Sequence, residues 1–439
     1  MRKGIYMILF LSFVLAWPAM GENLIEPGEV LTLEKCIELA LKNHPSIIAS
    51  ENTAKAAKSR VYEKTSGFWP QLSANASYSR TRPAETTDSS SVLSGLGGAG
   101  GSDQNKSYDA YGISLNLQQL IFDFGKTWDQ TKIQDYNRQA SDYQLQSTIN
   151  EITFGVKQAY YGVLVAKRNM DVAQESVDSF QKHLDQAMGF YQVGTRAKFD
   201  VTKAEVDLSN AKLKLIQAQN SYRVAMVTLN NAMGLVEAPE YTLEDNLSYQ
   251  KYEVGFEEAL KQAYDNRPDL LALLSQEKAA KKSVELAGLG YLPTLTGNAD
   301  YKWQGQEFPL ADSWDVGAVL SWPLFNGFLT KNQVDENKYN LNVVKANQAL
   351  LKQSILLEVR QAFLNLQAAE EGIPYAQLVV KQAQENLDLA NGRYAAGIGN
   401  PVELSDAELA YSNAKYAESQ ALYNYKIAQA SLEKAMGVK

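Results

Sequence analysis

A stripe of apolar side chains between residues 149 and 191 constrains the fold of this chain more than any other feature. Its members follow one another at spacings of three and four from Ile149 to Tyr191 without a slip, and polar residues such as Glu175 fill the positions between them. A sustained seven-residue repeat predicts a long helix that supercoils against a partner. No proline occurs between Gly125 and Tyr191, so the helix can extend for on the order of 100 Å and must pack on other long helices.

The same stripe returns 203 positions later, where Ile355 to Tyr394 repeat the pattern of Ile152 to Tyr191. Many of its members are alanine, and small side chains let helix axes approach closely. Pro374 is the exception inside this second stripe. It removes a backbone hydrogen bond, so we expect it to kink the helix.

The repetition extends beyond the stripes. The segments around Pro45 and Pro268 match each other, as do the segments that follow Pro70 and Pro293. Similarity over this length predicts two copies of one structural unit. The predicted division is a first repeat, a linker and a second repeat, at 22–235, 236–255 and 256–439. The first repeat carries about 20 additional residues in the Ser- and Gly-rich stretch 82–107, which we expect to form an external loop.

Four segments alternate apolar and polar side chains with a period of two, and each repeat contains two of them. In the first segment, Leu72, Ala74, Ala76 and Tyr78 alternate with polar residues. This alternation predicts β-strands with one apolar and one polar face. The predicted strands lie at about 71–80, 108–118, 294–303 and 313–322.

Each predicted strand has about the ten residues that a tilted strand needs to cross a bilayer. Aromatic side chains gather at the strand ends, as they do at membrane interfaces. They are Trp69, Tyr78, Tyr111, Tyr301, Trp303, Trp314 and Trp322. A β-sandwich core is the alternative, but the polar faces are small and uncharged, as in a water-filled lumen. Four strands cannot close a barrel, and lipid does not tolerate an open sheet edge, so a barrel would have to be shared between chains.

Each apolar stripe ends in a glycine turn that leads into a shorter helix. Gly194 follows Tyr191, and Gly397 follows Tyr394 at the same spacing. Glycine in this position ends a helix and reverses the chain. The predicted long helices span about 125–191 and 327–394, and the predicted return helices span about 200–233 and 401–436.

The first residues have the features of a secretory signal, and we predict that 1–21 form a signal peptide. Arg2 and Lys3 precede an apolar run that is short for a membrane span. With Cys36 as its single cysteine, the exported chain would have no internal disulfide. The net charge of −8 argues against a nucleic-acid partner.

The sequence contains no pattern of catalytic residues. It has two histidines: His44 lies at a predicted helix boundary, and His183 lies between the apolar positions of the stripe, where we expect it to be solvated. With one cysteine and no clustered ligands, the spacing supports neither a metal site nor a nucleophile triad. We therefore expect no enzyme activity, no cofactor and no bound metal.

Several motifs together resemble the TolC family of outer-membrane efflux and secretion channels: the paired Tyr-x-x-Gly turns, the Pro-x-Leu before a strand, the Asn-x-Pro near each start and the twofold repeat. The resemblance covers about residues 31–438. It implies a mixed, mainly α fold, in which long antiparallel coiled-coil helices form a periplasmic tunnel. Four transmembrane strands per chain would contribute to a trimeric 12-stranded barrel in the outer membrane of a Gram-negative cell.

The resemblance also implies a passive duct and its partners. The duct would be a homotrimer in contact with outer-membrane lipid, and it would dock a periplasmic adaptor (membrane fusion) protein. Through the adaptor it would join an inner-membrane pump of the RND or ABC type. The family's docking turns carry over to Val193, Gly194, Thr195 and Arg196 and to Ala396, Gly397 and Ile398.

The family's constriction at the tunnel tip carries over to Asp200, Tyr394, Glu403 and Asp406. A second interpretation of Glu403 stays open, because Asn400 and Glu403 also have the spacing of a capping box. Gly399 stands where the family often has a basic residue, whereas Arg196 occupies the corresponding place in the first turn.

A second function also stays open, that of an exported coiled-coil scaffold or stalk without a pore. The strands discriminate between the two, because a stalk gains nothing from bilayer-length strands with aromatic ends.

Overall fold

The computed structural model describes residues 25–82 and 107–438. Within these ranges the chain is mainly helical, with a few strands. The helices are α1 (Leu33–Asn43), α2 (Pro45–Thr65), α3 (Lys126–Gln192), α4 (Lys198–Ala232), α5 (Phe256–Asn266), α6 (Pro268–Gly288), α7 (Leu329–Ala395) and α8 (Pro401–Met436). The strands are β1 (Val30–Leu31), β2 (Gln71–Thr81), β3 (Tyr108–Phe122), β4 (Thr242–Leu243), β5 (Thr294–Gly305) and β6 (Ala311–Ser321). The predicted signal peptide at 1–21 and nearly all of the insertion at 82–107 lie outside the described residues.

The two longest helices, α3 and α7, each contain 67 residues. Their apolar stripes explain this length, because Val156 and Ile355 are fully buried, as expected for the seam between packed helices. Pro374 does not end α7, which continues to Ala395. Tyr191 departs from the predicted stripe: it is 46% exposed, whereas Tyr394 at the matching position is 2% exposed.

The return helices pack on the ends of the long helices. On α3, Phe180 and Leu184 form a buried cluster with Leu208 of α4. On α7, Tyr394 packs in the same way with Leu404 of α8. Apolar residues spaced three and four apart supply both sides of each contact, so the periodicity that forms the helices also fixes their pairing.

The four longer strands form one antiparallel sheet in the order β2-β3-β5-β6. Its register pairs Tyr78 with Tyr111 and Tyr301 with Trp314. The only other sheet in the described residues is the two-residue pairing of β1 with β4. No second layer covers the four-stranded sheet in this part of the chain, which excludes the β-sandwich alternative for it.

The edge strands of this sheet are exposed along their whole length. Every residue of β2 and of β6 is exposed to solvent in the single chain. Large apolar side chains are among them, including Leu72, Trp314 and Val316, each about 70% exposed. A chain of this kind presents two free sheet edges and apolar surface beside both of them.

The predicted linker at 236–255 contains structure that its sequence did not indicate. Thr242 and Leu243 form β4, which pairs in parallel with β1. The hydroxyl of Tyr160 on α3 donates to the carbonyl oxygen of Glu244 at 2.7 Å. The guanidinium of Arg168 donates to the carboxylate of Asp245 at 2.9 Å. The segment is thereby fixed against α3.

The chain divides into two compact units, and each contains parts of both sequence halves. The first unit comprises residues 25–44, 152–251 and 368–427, and the second comprises 45–82, 107–151, 252–367 and 428–438. The four-stranded sheet lies in the second unit, and the two glycine turns lie in the first. Among the described residues, no helix combines the length and the apolar character that a membrane span requires.

Candidate functional site

The turns that follow α3 and α7 have the same backbone design. Gly194 and Gly397 take the left-handed conformation, with φ of 77° and 78°. In each turn the next residue, Thr195 or Ile398, donates its backbone N–H to the carbonyl oxygen five residues earlier, at 3.0 and 3.1 Å. This is the Schellman arrangement, in which a glycine without Cβ strain satisfies the last carbonyls of a helix.

Both turns expose apolar side chains at their tips. Val193 is 72% exposed and Ile398 is 74% exposed. The other predicted docking residues of the turns are also exposed, except for Arg196, which is half-buried. They are Gly194, Thr195, Ala396 and Gly397. Two apolar side chains on rigidly capped turns form a small surface that another protein can cover.

Arg196 joins the first turn to the second. Its Nη2 donates to the carbonyl oxygen of Gly399 at 2.7 Å and to that of Gly397 at 3.1 Å. Its Cζ lies 5.5 Å from the ring centroid of Tyr394, within the range of a cation–π contact. Its Nη1 lies 3.9 Å from Oδ2 of Asp200. One side chain therefore connects both turns and two of the predicted gate residues.

Tyr394 lies beneath Arg196 in the interior. It is 2% exposed, and its ring meets that of Phe190 edge to face at 5.8 Å. Burial raises the pKa of the Tyr394 phenol, and the nearby Asp200 raises it further, whereas Arg196 lowers it. The phenol is therefore neutral at physiological pH, and it acts as a packing residue for the turns.

Gly399 shows why the second turn has no basic side chain at this position. A Cβ added there would lie 2.6 Å from the backbone nitrogen of Tyr394. No side chain fits this close approach without a shift of the backbone. Arg196 of the first turn places a cation at this point, where it binds the carbonyl oxygen of Gly399.

The predicted acidic residues differ in their surroundings. Asp200 is buried, whereas Glu403 and Asp406 are exposed. Nε of Arg393 lies 3.4 Å from Oε1 of Glu403, so this carboxylate has a cation beside it. Asp406 has no hydrogen bond or ion pair among the described residues. The carboxylate of Asp406 is therefore free, that of Glu403 is paired, and that of Asp200 is buried.

The neighbour of this segment, Asn400, provides a side-chain cap for α8. Oδ1 of Asn400 accepts a hydrogen bond from the backbone N–H of Val402 at 2.9 Å and so caps α8. Pro401 is the first residue of that helix, where its missing N–H costs nothing. The Glu403 side chain turns to Arg393 in the last turn of α7.

Polar side chains behind the turns form contacts that the sequence did not reveal. Nζ of Lys203 on α4 lies 2.6 Å from Oδ2 of Asp207, whose Oδ2 also accepts a hydrogen bond from Ser405 of α8 at 2.9 Å. The prediction that His183 is solvated is wrong, because the side chain is buried between helices. The i,i+4 spacing of Lys203 and Asp207 was the only sequence signal for this network.

The predicted aromatic residues divide between the two ends of the four-stranded sheet. The ends follow from the strand register, in which β2 begins where β6 ends. Trp69 and Trp322 lie at the end where β2 begins. The remaining residues lie towards the other end: Tyr78, Tyr111, Tyr301, Trp303 and Trp314. Their placement towards both ends of the strands is the distribution expected of a membrane-crossing sheet.

Comparison with known proteins identifies the family of this chain. The family model for outer membrane efflux proteins matches residues 36–235 and 259–438. The chain belongs to the outer membrane efflux protein family. Among curated members, it is 26% identical over 422 residues to outer membrane protein TolC of Escherichia coli K12, covering 92% of this chain and 82% of that protein.

Solved structures have the same fold. The Campylobacter jejuni CmeC outer membrane channel matches with a TM-score of 0.77 and 19% identity, over 92% of this chain and 85% of that one. The Neisseria gonorrhoeae MtrE outer membrane channel matches with a TM-score of 0.75 and 19% identity, over 92% and 89%. Membership of the outer membrane efflux protein family confirms the predicted family, the mainly helical fold class and the outer-membrane localisation.

Proposed function

We propose that this chain is the passive exit duct of a tripartite efflux or type I secretion system, and that three copies form the duct. The observation that carries the proposal is the single-layered sheet, with two exposed edge strands that carry large exposed apolar side chains. Membership of the outer membrane efflux protein family and the likeness to the channels named above support the duct over a stalk without a pore.

The sheet supports an assembly of several copies, and the number three comes from the resemblance to the TolC family. β2 and β6 are both edge strands, and each leaves one side of its backbone unpaired in the single chain. Lipid cannot satisfy these backbone groups, so the edges must pair with other copies. Three sheets of four strands make a barrel of 12 strands, which is above the minimum of eight for a closed barrel.

The turns support the partners that the resemblance to the TolC family implies. Val193 and Ile398 give each turn an exposed apolar tip, and the capping glycines hold the backbone beneath them rigid. We assign this surface to a periplasmic adaptor, which connects the duct to an inner-membrane pump of the RND or ABC type. The pump would provide the energy and select the cargo, and the duct would provide an aqueous path.

The constriction would lie at the same turns. Asp406 and Glu403 are exposed on the first two turns of α8, and three copies of each would ring the axis. Asp200 is buried against Arg196, so it would act by positioning that side chain. Tyr394 would hold the second turn by packing.

Two measurements test the proposal. Native mass spectrometry of the protein in detergent is expected to give a trimer, and planar bilayers are expected to show discrete channels. A stable monomer that forms no channel would overturn the duct. Recovery of the protein in a soluble periplasmic fraction, without heat-modifiable oligomers, would favour the scaffold instead.

A further inference from the structure

His183 lies in a buried polar cluster behind the turns. The side chain is only 9% exposed, on the face of α3 that packs against α4 and α8. A cavity of about 20 Å³ lies beside it. The other polar residues that line the cavity are Asp200, Lys203, Asp207, Tyr394 and Ser405. The imidazole therefore faces a polar interior within the seam of the helices.

The hydrogen bonds of His183 favour its neutral form. Its Nε2 lies 3.4 Å from Oγ of Ser179, and that hydroxyl donates to Oε2 of Glu408 at 2.8 Å. Because the Ser179 hydroxyl donates its proton to Glu408, its oxygen can only accept a hydrogen bond from His183, and the donor is Nε2–H. Nδ1 of His183 is buried and has no hydrogen-bond partner in the described residues. Protonation would place a second N–H on Nδ1, where no acceptor meets it.

Charges on three helices face this imidazole. On α3, Lys182 disfavours a positive charge at the next residue. On α4, Asp207 favours a positive charge on His183, but its carboxylate is already paired with Lys203. On α8, Glu408 is reached through Ser179. The buried Asp200 also lines the cavity, and it lies beside Arg196. No carboxylate around this imidazole is therefore free to form an ion pair with protonated His183.

The electrostatic directions agree with this geometry. Burial lowers the pKa of His183, while Asp207 raises it and Lys182 lowers it. Burial raises the pKa of Glu408, the bond from Ser179 lowers it, Glu175 raises it and Lys415 lowers it. The two groups respond to acid in opposite ways: a protonated His183 is worse accommodated, and a protonated Glu408 is better accommodated.

We propose that His183 is a pH-responsive element of the helical tip, whose protonation loosens α3 from α4 and α8 and favours opening of the duct. This inference rests on the proposed function. The sign follows from linkage: a histidine that is held neutral in the packed tip stabilises that packing at neutral pH. Its contribution is lost as the pH falls below the ordinary histidine value of about 6.5. Glu408 acts in the opposite direction, because burial raises its pKa and its protonated form is better accommodated.

The sequence offers a matched control, because His44 is the only other histidine. Conductance would be recorded in planar bilayers between pH 7.5 and 5.5 for wild type, His183→Gln and His44→Gln. Wild type and His44→Gln are expected to open more at low pH, by at most about tenfold per unit of pH for each proton that is coupled to opening. His183→Gln is expected to lose that response. The exposed carboxylates Glu403 and Asp406 are present in all three proteins, so a difference between the variants does not come from them.

A second measurement does not depend on conduction. With ¹³C-labelled histidine, the trimer in detergent gives two imidazole signals, which the His44→Gln variant assigns. His183 is expected to titrate below 6.5, the ordinary value for histidine. The exposed substitution Lys182→Ala should raise its midpoint and shift the opening to higher pH by the same amount. If His183 had only a structural role, Lys182→Ala would not shift its titration midpoint and the pH of opening together.

The outcomes separate the two proposals. If channels form but His183→Gln keeps the wild-type pH response, the inference is overturned and the duct remains. If Lys182→Ala moves the titration without moving the opening, the inference is also overturned. If no variant conducts at any pH, the proposed function fails, and this inference fails with it.

Discussion

Nη2 of Arg196 in the first turn lies 2.7 Å from the carbonyl oxygen of Gly399 in the second turn. The two residues are 203 positions apart in the sequence, yet this bond joins the ends of α3 and α7 within one chain. The same guanidinium reaches Gly397, Asp200 and the ring of Tyr394. We infer that the two turns behave as one rigid body, with Arg196 as the connection.

Replacement of Arg196 by alanine should free the second turn. The substitution removes two charge-assisted hydrogen bonds to carbonyl groups, and hydrogen bonds to charged groups contribute roughly 1.5–3 kcal/mol each to stability. Because Arg196 is only half-buried, we expect the free energy of local opening to fall by about 1–2 kcal/mol. Hydrogen exchange of the amides of Ile398 and Gly399 should then be faster by roughly tenfold.

Arg393→Ala is the control for this prediction. Arg393 is a cation beside the same turn, but its pair with Glu403 is exposed. Exposed pairs contribute roughly 0–1 kcal/mol, so exchange in the turn should change little. Equal exchange in Arg196→Ala and wild type would show that the connection across the turns does not hold them.

Gly399→Ala should disrupt the second turn, and Gly399→Arg should do so more strongly. The added Cβ would lie 2.6 Å from the nitrogen of Tyr394, so the backbone must move. Overpacking of a tight site costs roughly 1–3 kcal/mol. We therefore expect a lower denaturation midpoint and faster exchange around Tyr394. The carbonyl oxygen of residue 399 would remain, but the backbone shift should move it away from Arg196.

Gly392→Ala is the matched control for Gly399. Gly392 lies in α7 seven residues earlier, and nothing would lie within 4 Å of its added Cβ. Alanine should raise the stability of the helix there by up to about 1 kcal/mol. If both variants were equally stable, the close approach at Gly399 would not be the constraint that the structure indicates.

The sequence predicted those features that repeat along one element. The period of 3.5 placed α3 and α7, and the period of two placed the strands of the main sheet, because each periodicity separates an apolar face from a polar one. The glycine turns were predictable as well, since only glycine takes the left-handed conformation without strain.

Contacts between distant elements could not be predicted in this way. Arg196 and Gly399 are in contact because two helices end side by side. The sequence around either residue does not predict the other as its partner. His183 was expected to be solvated because it lies off the apolar stripe, but α4 and α8 cover that face of α3 as well. Tyr191 and Tyr394 share one stripe position and still differ in burial. A repeat predicts equal secondary structure and does not predict equal surroundings.

Cys36 should be unreactive towards alkylating reagents in the folded protein. Its side chain is fully buried, and burial together with Glu34 raises its pKa to about 12. The reactive thiolate is therefore absent at pH 8, and the reagent has no access. We expect labelling to be slower than in denaturant by on the order of a hundredfold or more, since it requires opening of the fold.

The control for Cys36 uses the exposed first turn. Cys36→Ser combined with Val193→Cys should be labelled rapidly without denaturant. The unfolded chain ionises its thiol near pH 8.5, well below the folded value, so the contribution of Cys36 to stability should decline as the pH rises above that point. Rapid labelling of native Cys36 at pH 8 would contradict the buried environment.

Asp406 should control the ion preference of the duct more strongly than Glu403. Both carboxylates are exposed, but Glu403 has Arg393 beside it at 3.4 Å, which offsets its charge. Carboxylates around a narrow aqueous constriction attract cations and repel anions. We expect Asp406→Asn to lower the cation-to-anion permeability ratio in planar bilayers, and Glu403→Gln to lower it less.

Arg393→Ala provides the opposite test of the same arrangement. It removes the cation beside Glu403, so the ring of carboxylates becomes more negative and the preference for cations should increase. The three substitutions are at exposed positions, and the thermal stability of the trimer should stay within about 0.5 kcal/mol of wild type. Equal permeability ratios in Asp406→Asn and wild type would mean that the constriction lies elsewhere. A larger effect of Glu403→Gln than of Asp406→Asn would mean that Arg393 does not offset the charge of Glu403 in the assembled channel.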